Sequence, residues 1–219
     1  MLKAVLFDMD GVIVDTEPLH KKAYYMMFEN YNINVTTEHY NSLTGQSTIN
    51  VCKKLCTHFN LKAQPEELVQ NKRESFTSLF HNDPSLQLLD GVLELIKNYH
   101  TNGLTLVLAS SASMFTINNV FNRFNLNQYF KAKISGADLK ASKPHPEIFE
   151  KAAKLAESDK HECLVIEDST NGIKAAKAAG IYCVGYDSKN SKNQDYSLAD
   201  QKINTFSDIF YEKIGIKFE

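Results

Sequence analysis

Four strand-length runs in this chain, at 3–7, 104–109, 163–166 and 181–184, are dominated by apolar side chains. A strand with one wet face alternates polar and apolar residues, so runs apolar on both faces must be covered from both sides. Helical spacing over 91–100, 113–124, 146–156 and 171–179 separates these runs, and a weaker strand is expected near 132–134. Buried strands alternating with helices specify an α/β chain whose parallel sheet carries helices on both faces.

The alternation is interrupted once. Between the first strand and the helix at 91–100 the pattern is helical, with helices expected over 19–31, 48–59 and 65–80. This segment is too long for a loop inside a compact domain. It reads as an inserted helical subdomain over 16–88, leaving 1–15 and 89–219 as the core. The polar stretch 187–197 reads as a surface loop.

In parallel sheets of this kind ligands gather at the carboxyl ends of the strands. Asp8 and Asp10 follow the first strand, and Ser110 and Ser111 follow 104–109. Lys143 lies in Ser142-Lys143-Pro144, and Glu167 and Asp168 follow 163–166. If the first strand stays extended as far as Asp10, Asp8 and Asp10 point the same way. Adjacent carboxylates at a buried strand end repel unless a cation or a reacting group uses them, although Asp before Gly is also ordinary turn chemistry. Four separated segments delivering polar groups to one edge favour function. Carboxylates, a lysine and a hydroxyl together match phosphoryl transfer assisted by Mg²⁺, a hard ion that takes oxygen ligands.

The stretch Phe7-Asp8-Met9-Asp10-Gly11-Val12-Ile13-Val14-Asp15-Thr16-Glu17-Pro18 resembles the first motif of the haloacid dehalogenase superfamily. Ala109-Ser110-Ser111 resembles its second motif, Lys143-Pro144-His145-Pro146 its third and Ile166-Glu167-Asp168-Ser169 its fourth, continuing through 171–180. The resemblance implies a Rossmann-like, doubly wound parallel-sheet core with an inserted α-helical cap that closes over the site. It implies Asp8 as nucleophile, Asp10 as acid/base, and Ser110 and Lys143 on the phosphoryl group. Mg²⁺ would be held by Asp8, the Asp10 backbone carbonyl, Asp168 and Glu167, with direct contact from Glu167 left open. A true dehalogenase lacks the second aspartate, so Asp10 argues against dehalogenation.

The closest subgroup it resembles contains β-phosphoglucomutases and small-metabolite phosphatases. In the mutases a glycine in the cap loop precedes a serine–arginine pair that grips the distal phosphate. Here the loop reads Thr44-Gly45-Gln46-Ser47-Thr48, with Thr48 in the arginine's place, and Ala112 and Ser113 stand where the mutases carry serine and lysine. Arginine is scarce, with Arg73 and Arg123 the two among 24 cationic side chains. Losing a charge-assisted clamp costs on the order of 1.5–3 kcal/mol per contact, which favours hydrolysis of a small phosphate ester over isomerisation of a bisphosphate. Gly45, Gln46, Thr48, Lys72 and Ser111 are candidates for substrate binding, the cap residues reading equally as a polar loop and a solvated helix face. His20 could steady Asp10 or be a helix histidine near solvent. A silent binding protein on this fold would have lost the nucleophile or the lysine, and both are present.

A net charge of −2 gives no reason to expect a nucleic-acid or anionic-membrane partner. No apolar run approaches the ~18 residues of a membrane span. The chain enters its first strand at once, which leaves no room for a signal peptide. Four cysteines without a disulfide framework or zinc spacing read as free thiols. A cytoplasmic monomer acting on a small-molecule phosphate ester is the expectation.

Overall fold

The computed structural model describes residues 1–43, 48–188 and 193–218. In chain order the elements are β1 (Ala4–Phe7), α1 (Glu17–Asn30), α2 (Thr37–Leu43), α3 (Thr48–His58), α4 (Pro65–Asn82), α5 (Val92–Thr101), β2 (Thr105–Ser110) and α6 (Met114–Arg123). They continue as β3 (Phe130–Ser135), α7 (Glu147–Leu155), β4 (Cys163–Glu167), α8 (Thr170–Ala178), β5 (Tyr182–Tyr186), β6 (Gln201–Ile203) and α9 (Tyr211–Ile214). The chain divides into two compact units, Met1–Asp15 with Gln87–Glu219, and Thr16–Leu86.

The first unit is built on a sheet of order β3-β2-β1-β4-β5-β6 in which every pairing is parallel. β1 is central, with Ala4 opposite Thr105 on one side and Cys163 on the other. The chain leaves β1 toward β2 and β3 and then returns across it to β4, so the carboxyl end of β1 lies where the winding reverses. All four β1 side chains are buried, as an interior parallel strand requires. Leu6, Val107, Val165 and Cys183 pack with Phe149, Ala152, Ile173 and Ala176. Phe7 meets Tyr99 and Phe130 edge-on, and the Tyr99 hydroxyl donates to the Ile209 carbonyl at 2.5 Å.

The second unit is entirely helical among its described residues. Its core joins Tyr24, Met27 and Phe28 of α1 to Tyr40 of α2, Val51, Cys52 and Leu55 of α3, and Leu68 of α4. Proline in the first turn starts α1 and α4, where no amide proton is needed. Gln64 and Glu67 close a capping box on α4. Among the described residues no helix is long and apolar enough to cross a membrane.

Several elements depart from the sequence expectation, among them the four-residue α9, which was not expected. The strand near 132–134 is longer, Phe130–Ser135. Helix α2 was not expected: it buries Tyr40 and Leu43 alone, and seven residues are too few for a 3.6-residue repeat to declare itself. Strand β6, three residues long, is held by its pairing with β5, not by any pattern of its own.

Candidate active site

β1 stops at Phe7, and the Asp8 amide still donates to the Ile166 carbonyl at 3.0 Å. The chain then turns: the Met9 carbonyl accepts from the amides of Val12, Ile13 and Val14 at 3.3, 2.7 and 3.1 Å. The strand therefore does not run extended to Asp10, and the alternation that would have aimed Asp8 and Asp10 together does not apply. Asp8 is buried and Asp10 half-buried. Gly11 sits at φ +81°, and a Cβ there would lie 1.9 Å from an Asp168 carboxylate oxygen. Only glycine leaves that carboxylate its place.

Lys143 joins the strand ends. Its ammonium donates to Asp8 Oδ1 at 2.5 Å, to Glu167 Oε1 at 2.7 Å and to the Ala109 carbonyl at 3.1 Å. It also lies 4.9 Å from the Phe149 ring centroid. The Lys143 side chain is 7% exposed and that of Glu167 1%. Glu167 is fixed at its other oxygen, where Oε2 accepts from the amides of Asp168 and Ser169 and the Ser169 hydroxyl, each at 2.9 Å. Ser169 also caps α8, accepting from the Gly172 amide at 3.0 Å, so Glu167 lies at the positive end of that helix. A Cβ on Gly172 would come within 1.7 Å of Glu167 Oε1.

The charges do not balance. Burial pushes the Asp8 carboxyl well above its ordinary range; Lys143 opposes this, and Glu167 and Asp168 push further upward. Burial alone would lower the Lys143 pKa, but Asp8 and Glu167 outweigh it and raise it. The ammonium is therefore secure, because two carboxylates grip it, while burial makes Asp8 a carboxylate whose negative charge is disfavoured. Three carboxylates against one ammonium, all with oxygen donors, suit a hard divalent cation. Among the described residues no three His, Cys, Asp or Glu side chains form a ready-made metal cluster. Mg²⁺ needs only one or two carboxylates beside water and substrate oxygens, so the residues fit it.

Ser110 is buried at the end of β2, its hydroxyl oxygen accepting the Ala112 amide at 3.1 Å. Ser111 is exposed. Asp8, Lys143 and Glu167 are thus in direct contact, with Asp168 acting electrostatically on Asp8.

Within the helical unit, Lys72 donates to His20 Nδ1 at 2.7 Å, since an ammonium has no acceptor to offer. The His20 ring stacks on Phe76 at 4.2 Å, and Lys72 lies 5.2 Å from the Tyr24 centroid and 5.0 Å from that of Phe76. Burial lowers the Lys72 pKa to about 8, with Glu17 opposing. Burial and the Lys72 charge take His20 to about 3. Lys72 is 6% exposed, which corrects the reading of it as a solvated helix face: its ammonium lies against His20 and the rings of Tyr24 and Phe76. Thr48, the first residue of α3, hydrogen-bonds the Tyr24 phenol. Gly45 and Gln46 lie outside the described residues.

Sequence reasoning took Phe76 as plain packing and passed over Tyr24, Gly172 and the Ala109 carbonyl. Gly172 could have been found, since a glycine in the first turn of a helix has poor propensity and asks for a reason. The Ala109 carbonyl carries no signal in a side-chain pattern.

The haloacid dehalogenase-like hydrolase family is matched over residues 5–186. A Drosophila melanogaster protein named "Probable pseudouridine-5'-phosphatase" is 31% identical, covering 96% of this chain and 93% of its own. A Thermotoga maritima "Phosphorylated carbohydrates phosphatase" is 30% identical over 82% of each chain. The crystal structure of a Clostridium difficile β-phosphoglucomutase, 27% identical, superposes with a TM-score of 0.75 over 100% of this chain and 97% of that one.

Proposed function

This chain belongs to the haloacid dehalogenase-like hydrolases, and from that premise we propose that it hydrolyses phosphate monoesters of small metabolites through an aspartyl-phosphate on Asp8. The observation that carries this reading is the buried Lys143 ammonium held between Asp8 and Glu167. A transferring phosphoryl group spreads charge over its oxygens, and a fixed cation beside the nucleophile is what lowers that barrier.

In this reading an Asp8 carboxylate oxygen attacks phosphorus, and the ester oxygen departs with a proton from Asp10. Asp10 then takes a proton from water, which cleaves the acyl-phosphate, releases inorganic phosphate and restores Asp8. Lys143 and the Ser110 hydroxyl hold the phosphoryl oxygens. Mg²⁺ would be held by Asp8, Asp168 and the Asp10 carbonyl, and when bound supplies charge neutralisation to the phosphoryl oxygens and to Asp8. Glu167 is assigned differently from the sequence expectation: with one oxygen on Lys143 and the other on three donors, it anchors the lysine and is not counted among the metal ligands. Choice among esters is assigned to the helical unit, with Thr48, Lys72 and His20 as its candidates.

The test is phosphate release from a panel of sugar, polyol and nucleoside monophosphates, with Mg²⁺ and with chelator. Asp8→Asn should lower turnover at least ~10³-fold, and chelation should abolish it. Undiminished release by Asp8→Asn would sink the covalent mechanism. A second reading, β-phosphoglucomutase, is favoured by the likeness to the Clostridium difficile enzyme. Glucose 6-phosphate forming from β-glucose 1-phosphate faster than free phosphate, with glucose 1,6-bisphosphate as primer, would establish it instead.

A further inference from the structure

The connection from β5 to β6 does more than return the chain to the sheet edge. Its described end, residues 193–197, is bonded to the start of α8, the turn that carries Asp168. The Gln194 side-chain carbonyl accepts from the Thr170 amide at 2.8 Å and from the Thr170 hydroxyl at 2.9 Å. The Asp195 amide donates back to that same hydroxyl at 2.8 Å. At the next residue, the Tyr196 hydroxyl lies 3.0 Å from the Asp168 carbonyl and 3.3 Å from that of Tyr186, and the Asp187 carboxylate also interacts with it. The Tyr196 ring packs on Gly185 of β5, with the Lys202 ammonium 5.0 Å from its centroid.

Asp168 is thereby fixed on three sides. Its amide is spent on Glu167, its carbonyl faces Tyr196, and its carboxylate occupies the space left by Gly11. Gln194 satisfies the Thr170 amide, one of the first-turn donors a helix cannot satisfy within itself. The short helix start that aims Asp168 is therefore held from a segment more than twenty residues away, and not by its own sequence alone.

We infer that Gln194 and Tyr196 are positioning residues for the Asp168 carboxylate and so set the affinity of the site for Mg²⁺. This rests on the proposed function above, in which Asp168 is a metal ligand. Groups that orient a ligand without touching the metal typically change metal affinity by about 10- to 100-fold when removed. Neither residue contacts substrate in this account, so the effect belongs to metal binding, with the turnover number at saturating Mg²⁺ largely kept.

The experiment is calorimetric titration of the full-length protein with MgCl₂, alongside its thermal midpoint without metal. Tyr196→Phe removes one hydroxyl, Gln194→Leu removes the acceptor, and Gln194→Glu keeps an acceptor in place. Tyr196→Phe and Gln194→Leu are each expected to raise the Mg²⁺ dissociation constant about 10-fold, with Gln194→Glu within about 3-fold of the wild type. Wild-type affinity in Tyr196→Phe or Gln194→Leu overturns the inference for that residue. So does a loss that Gln194→Glu fails to rescue, or one matched by a falling midpoint in the metal-free protein. The two readings separate in the wild type: if it binds Mg²⁺ but hydrolyses no ester, the proposed function fails while the positioning claim is still judged by the titrations. A wild type that binds no Mg²⁺ overturns both.

Discussion

Lys143 and Lys72 are the same side chain, each nearly excluded from solvent, one in each unit of the chain. Lys143 meets two carboxylates and a carbonyl, and its pKa rises. Lys72 meets a neutral imidazole and two aromatic rings, and its pKa falls to about 8. Burial penalises both ammonium groups; the neighbours decide the outcome. The first lysine is a permanent charge around which carboxylates are assembled. The second is a cation kept at a cost, relieved when the proton leaves.

The sharpest way to break this contrast is to remove each charge in turn. Lys143→Met leaves Asp8 and Glu167 facing each other without their shared partner. Loss of about 3–5 kcal/mol of stability is expected in metal-free protein, read by urea unfolding, together with phosphatase activity reduced by at least ~10²-fold. Lys72→Met is nearly isosteric and strands no carboxylate hydrogen-bonded to it, so a stability change within about 1.5 kcal/mol is expected at pH 7. Equal losses in the two variants would mean that burial, and not pairing, governs both sites.

A smaller effect tests how Lys143 is held. Gly172→Ala places a methyl group where the Glu167 carboxylate lies, so Glu167 must leave Lys143 or the first turn of α8 must shift. Destabilisation of about 1–3 kcal/mol is expected, with activity falling in parallel. A neutral Gly172→Ala would show that Glu167 is not the anchor of the lysine.

The smallest effect sharpens the contrast by pH. Below pH about 8 Lys72 is protonated in folded and unfolded chains, and its burial cost is complete. Between about 8 and 10.5 the folded protein releases that proton while the unfolded chain keeps it, so stability should rise with pH across this window. Lys72→Met should lack that rise when the two unfolding curves are subtracted. On the acid side, His20 resists protonation until pH about 3, so its contribution to stability should fall as pH drops from 6.5. A difference curve flat from pH 7.5 to 10.5 would return Lys72 to the status of an ordinary lysine.

These contrasts divide by how local their causes are. The buried strands were readable because parallel strands covered on both faces carry apolar runs such as Ala4-Val5-Leu6-Phe7 and Leu164-Val165-Ile166, and the helices between them because a 3.6-residue repeat persists over ten residues or more. Asp8, Ser110, Lys143 and Asp168 stood out because each sits just past a strand or in a short motif. By contrast, α2 and β6 are shorter than any period, and their existence rests on neighbours. The turn at Met9 stayed one of two alternatives in the sequence, as Asp-Gly is compatible with both a strand end and a tight turn.

Sequence pattern alone was therefore enough for the α/β class and for the catalytic candidates, because periodicity and strand-end placement are properties of consecutive residues. The assembled fold alone assigned Glu167 to Lys143, placed Lys72 against two aromatic rings, and brought Gln194 and Tyr196 onto the turn bearing Asp168. Each of these depends on side chains separated by tens of residues, whose charges and hydrogen bonds acquire a partner only when the chain closes on itself. A lysine carries no mark of whether a carboxylate or a phenyl ring will meet it, and that meeting sets its charge.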